Sequence, residues 1–94
     1  MERTLSEKEI EAITNFGAFG YDASRMASIL GWREDEVVKL LSSPSEFAKL
    51  VQKGKDMAGY AIDQKLWSMA LSGDMKALEK FEQRKQARSM KKKV

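Results

Sequence analysis

The chain has neither cysteine nor histidine among its 94 residues. Without cysteine there is no disulfide and no zinc thiolate to brace a small core, so packing between helices, and between subunits, must supply the stability. Without histidine the commonest general base and transition-metal ligand is missing too. No Gly-rich phosphate loop or paired-carboxylate spacing takes their place, so the expectation is a non-enzyme with no cofactor and no metal. No apolar run approaches the roughly 18 residues that span a bilayer. Met1-Glu2-Arg3-Thr4 also lacks the apolar stretch of a signal peptide. The expectation is a cytoplasmic protein with no membrane partner.

Charge is unevenly spread. Residues 1–60 carry eight Lys or Arg against ten Asp or Glu, a net of −2, whereas residues 61–94 carry nine against four, a net of +5. A positive C-terminal end fits a polyanion partner, and equally a solvated helix end.

Start and stop signals divide the chain into five helices, an all-α fold. Ser6-Glu7-Lys8-Glu9 has the form of a capping box. Ile10, Ile13 and Phe16 follow at helical spacing, and Gly17 and Gly20 read as a stop, which places the first helix at about 7–16. Asp22 is a cap for a second helix with Met26, Ile29 and Leu30 on its apolar side, ending at Gly31. A third, about 34–41, opens on Glu34, Asp35 and Glu36, where the helix dipole favours acids, and buries Val37, Leu40 and Leu41. Ser43-Pro44-Ser45-Glu46 reads as a serine cap, a first-turn proline and a third-position glutamate. The long helix that follows continues to Ser72. Gly73 is its stop and Asp74 the next cap, for a last helix from about Met75 to near Ser89 with Ala77, Leu78 and Phe81 on its apolar side. Beyond Phe81 apolar residues nearly stop, and a frayed basic tail is expected.

The segment from Ala23 to Leu41 resembles the bacterial and phage helix-turn-helix. Ala27 is the small residue at the helix crossing and Gly31 occupies the turn. Met26, Leu30, Trp32, Val37 and Leu40 fall at the motif's buried positions. The segment Leu66-Trp67-Ser68-Met69-Ala70-Leu71-Ser72-Gly73-Asp74-Met75-Lys76-Ala77-Leu78, continuing to Arg84, resembles the end of small terminase subunits of tailed phages and prophages. There a helix-turn-helix is followed by a long helix, a Gly-Asp corner and a shorter helix ending in Arg. The resemblance covers about residues 22–88. It implies a DNA-packaging, DNA-binding homo-oligomer, a ring in that family, that recruits a large terminase subunit in a bacterial host cell.

Three regions follow from this reading. Residues 1–43 are a helix-turn-helix domain, 44–83 an oligomerisation hairpin of long helix, corner and short helix, and 84–94 a basic tail. Candidate DNA-binding residues are Arg25, Arg33, Lys39 and Ser42 of the helix-turn-helix, with Arg84, Lys85, Arg88, Lys91, Lys92 and Lys93 of the tail. The exposed side of the second motif helix also holds Glu34 and Asp35, which phosphates would repel. Two alternatives therefore stay open: a dimeric helix-turn-helix transcription regulator, and a protein-interaction adaptor without a nucleic-acid role. In the long helix Phe47, Leu50, Gly54, Met57 and Ala61 form one packing face. Tyr60 and Trp67, seven apart, lie on a displaced face, so Tyr60, Trp67 and Leu71 are the expected subunit interface, with burial against the last helix as the competing reading.

Overall fold

The computed structural model describes the backbone of residues 4–92 and the side chains of residues 4–88. The described chain is all-helical: α1 (Glu7–Phe19), α2 (Ala23–Leu30), α3 (Glu34–Ser42), α4 (Glu46–Leu71) and α5 (Met75–Lys92). Contacts divide it into two compact units, Met1–Ala58 and Gly59–Val94, whose boundary falls inside α4. The first unit thus takes in the front half of the long helix as well as α1–α3. The reason is packing, because Phe47 and Val51 of α4 belong to the same buried cluster as Ile13, Phe16, Met26, Ala27 and Val37.

In the first unit α1 and α2 start on side-chain caps, whereas α3 opens at Arg33 without one. The Glu9 N–H donates to Ser6 Oγ (3.2 Å) while the Ser6 N–H donates to Glu9 Oε1 (2.9 Å), so the capping box closes reciprocally. Asp22 Oδ1 accepts from the Arg25 N–H at 2.9 Å and starts α2. Ile13 and Val37 are fully buried, and each side chain removed from water contributes about 1.5–3 kcal/mol. Ring contacts fasten the start of α4 to the turn before α3, with Trp32 and Phe47 centroids 5.9 Å apart.

Two helix boundaries of the first unit differ from the sequence expectation. α1 does not stop at Gly17 but runs on to Phe19, with Gly20 at φ 73° closing it. Gly17 instead admits a neighbouring backbone. A Cβ there would stand 1.9 Å from the Val51 carbonyl oxygen, and one on Gly54 would stand 1.8 Å from the Thr14 carbonyl oxygen. The pair of glycines lets the backbones of α1 and α4 touch, a contact no side chain could share. At the other boundary the cap of α4 is Ser45 rather than Ser43. Ser45 Oγ accepts from the Ala48 N–H (3.1 Å) and donates to the Leu40 carbonyl (2.7 Å), which is why this serine is buried. Ser43 instead closes α3, donating to that same carbonyl at 3.3 Å.

The second unit is assembled differently. α4 ends through Gly73 N–H to Ala70 O (3.0 Å) and Asp74 N–H to Met69 O (3.1 Å), and Asp74 Oδ1 then accepts from the Ala77 N–H (3.1 Å) to start α5. The expected Gly73-Asp74 corner is thus present. Among the described residues Ala77 is the buried hydrophobic one here, and Trp67 meets Phe81 at a centroid distance of 5.3 Å. α5 stays helical to Lys92, past the end expected near Ser89, where residues 82–93 were expected to fray. Contacts from α4 to Arg84 and Arg88 hold the helix beyond Phe81.

Candidate nucleic-acid interface

The α2–α3 pair has a tight turn. Gly31 N–H and Trp32 N–H both donate to the Ala27 carbonyl (2.8 and 3.0 Å), and Gly31 takes φ 73°, a conformation that costs a side-chain-bearing residue far more than glycine. Ala27 is buried, and Met26 and Val37 join it in the core.

What this pair shows to solvent is of mixed charge. Arg33 is exposed but paired with Asp35, Nη2 to Oδ2 at 3.2 Å, so the basic residue that opens α3 is partly neutralised by the acid beside it. Such an exposed pair adds little to stability. Glu34 and Lys39 lie exposed on the same helix, and Ser42 Oγ donates to the Val38 carbonyl at 2.7 Å. Arg25 lies over the Tyr21 ring, its guanidinium carbon 5.0 Å from the centroid, and Phe19 meets the same tyrosine at a centroid distance of 5.4 Å. Arg25, Arg33, Lys39 and Ser42 are therefore all on the surface of one unit, with three of the four already making local contacts.

The basic residues of α5 divide in two. Lys85 is exposed. Arg84 and Arg88, one helical turn apart, both bind Asp63 of α4: Arg84 Nε reaches Oδ1 at 2.6 Å and Arg88 Nη1 reaches Oδ2. Arg84 Nη2 also donates to the Gly59 carbonyl at 3.4 Å. The Arg84 hydrogen bond holds the Asp63 carboxyl below its usual range, partial desolvation pushes it back up, and the Arg88 hydrogen bond lowers it again. Asp63 does not stand out in the sequence. Its signal is the pair of arginines four apart on α5, which need an acid on the facing helix. Lys91, Lys92 and Lys93 lie outside the described side chains.

Of the expected subunit interface, Tyr60, Trp67 and Leu71 are all exposed, at 66%, 48% and 70%, with the Trp67 ring against Phe81. The contact with Phe81 is the one the competing reading expected, burial of Trp67 against the last helix. A second apolar row lies elsewhere on α4, where Ile62 and Met69 are exposed and, with Ala61, Lys65 and Leu66, line a shallow apolar groove. Seven residues separate Ile62 from Met69, so they share a face.

Among the described residues no cluster of acids could hold a metal, and no helix is long and apolar enough to cross a membrane. Comparison of the chain with protein families, with curated proteins and with solved structures finds no match in any of the three.

Proposed function

We propose that this chain is a DNA-packaging subunit of the small-terminase kind, a homo-oligomer that binds duplex DNA without catalysing a reaction. In this reading the α2–α3 pair is a helix-turn-helix that approaches DNA through Arg25, Arg33, Lys39 and Ser42. The basic α5 adds phosphate contacts through Lys85, Arg84 and Arg88 together with Lys91, Lys92 and Lys93, and a large terminase subunit is the further partner. The observation that carries it is the contrast within α4. In its first half Phe47, Val51 and Gly54 are buried, whereas in its second half Ile62 and Met69 on one face and Tyr60 and Leu71 on another are exposed. A helix apolar on two sides calls for a second copy to cover what α5 leaves open.

Repeated around an oligomer, a few phosphate contacts per subunit give strong, salt-sensitive and sequence-indifferent binding. The test is fluorescence anisotropy on a 30-base-pair duplex across a salt series. Binding that falls linearly with log salt is expected, along with a shallower slope when Lys91, Lys92 and Lys93 are replaced by glutamine. No binding at low salt would leave the protein-interaction adaptor as the better account. That second reading is favoured by one specific feature, the acidic opening of α3, where Asp35 engages Arg33 and Glu34 is exposed. A dimeric transcription regulator would instead lose sequence preference on Lys39→Ala.

A further inference from the structure

Asp63 occupies two arginines of α5, Arg84 and Arg88. Its side chain is 19% exposed and spends one oxygen on each guanidinium, whereas Arg84 and Arg88 remain 36% and 51% exposed. Each guanidinium has five N–H donors. The described bonds engage Nε and Nη2 of Arg84 and Nη1 of Arg88, so both retain further donors. Two arginines converging on a carboxylate are arranged as they would be on a phosphodiester, which offers a similar spacing of acceptor oxygens and the same charge.

We propose that Arg84 and Arg88 form a phosphodiester-binding pair for the DNA backbone, and that Asp63 is its built-in competitor, keeping the pair preformed and partly neutralised until duplex DNA displaces it. The inference rests on the DNA-binding reading above and adds to it a named site and a regulator. With Asp63 in place the three-residue cluster has a net charge of +1; with the carboxylate released the arginines present +2 to the phosphates. The chain therefore holds two cations in reserve at the hairpin while Lys85, exposed beside Arg84 in sequence, makes the first contact.

Asp63→Asn tests this, because the amide preserves size but not charge. Glu82→Gln is the control, since Glu82 is exposed on α5 and its loss changes net charge equally. Binding to a 30-base-pair duplex is measured from 50 to 300 mM salt, with helicity followed by circular dichroism. Asp63→Asn is expected to bind about fivefold tighter at 100 mM, with a log–log salt slope steeper by about 1 to 2, and to exceed the gain from Glu82→Gln. Adding Arg84→Gln and Arg88→Gln to Asp63→Asn should abolish the gain. Equal gains for Asp63→Asn and Glu82→Gln, or no gain, would overturn the competitor while wild-type binding left the DNA reading standing. No binding by wild type or variant would overturn both. Should Asp63→Asn lose helicity, the wild-type protein decides. Its Arg84 Nε–H nuclear magnetic resonance signal should shift when duplex is added, and a signal that stays in place at saturation would refute the exchange of partners.

Discussion

The two units of this chain reach helix-on-helix packing by different physics. The first buries seven side chains in one cluster and brings two backbones into contact through Gly17 and Gly54. The second buries Ala77, half-buries Phe81 against an exposed Trp67, and joins α4 to α5 through an ion-paired carboxylate. Close packing makes the first unit intolerant of added atoms. The second unit keeps large apolar side chains in solvent, among them Tyr60, Leu71 and Met75.

The comparison breaks most sharply at the glycines. Gly54→Ala places a methyl group against the Thr14 carbonyl, and the helices must part. A loss of about 3 kcal/mol is expected in urea unfolding, comparable to Ile13→Ala, which empties a fully buried site. In the second unit the equivalent substitution has the opposite sign. A Cβ on Gly59 meets Arg84 Nη2 at 3.5 Å, an ordinary contact, so Gly59→Ala should stabilise α4 by up to about 1 kcal/mol through helix propensity. Destabilisation of the second unit by Gly59→Ala would show that this approach is as close as that of Gly54.

Removing a cap has a smaller effect. Asp22→Ala deprives α2 of its N-terminal acceptor and should cost about 1 kcal/mol, read as a lower thermal midpoint. Acid sharpens the contrast between the units further. The folded Asp63 carboxyl titrates below its ordinary value of 3.8, so its contribution is present above that pH and is lost as pH falls through the folded value. The difference in thermal midpoint between wild type and Asp63→Asn should accordingly be present at pH 7 and shrink below pH 3.8. A difference that persisted unchanged into acid would mean that the tie is not ionic. Least affected of all should be the stability of Ile62→Ser and Met69→Ser, within about 0.5 kcal/mol for exposed side chains at subunit concentrations too low for association.

Much of the first unit is legible in the sequence because its signals are local. Ser6 with Glu9, Asp22 and Gly31 each announce themselves within four residues and take the expected role, as does the corner at Gly73 and Asp74 in the second unit. Gly17 does not, since a glycine that ends a helix and one that admits a neighbouring backbone look alike until α4 is placed against it. Ser43 and Ser45 are likewise interchangeable as caps in sequence, and the choice falls to Ser45 because its hydroxyl can also reach the Leu40 carbonyl. The extent of α5 is hidden for a related reason: its apolar pattern ends at Phe81, and what continues the packing is Asp63, more than a helix corner back in the chain, acting on Arg84 and Arg88. At the candidate interface Tyr60 and Leu71 are visible as apolar residues on a second face. The Ile62 and Met69 row looks like ordinary core, because spacing shows that two residues share a face but not whether that face is covered.

The central claim, that the exposed rows of α4 join copies of this chain, is tested most directly by the mass in solution, measured by light scattering after size exclusion at low and moderate salt. A closed oligomer larger than a dimer is expected for the wild type, falling toward a single subunit in Ile62→Ser with Met69→Ser. A wild-type mass of one subunit, 10.7 kDa, at every concentration would contradict it.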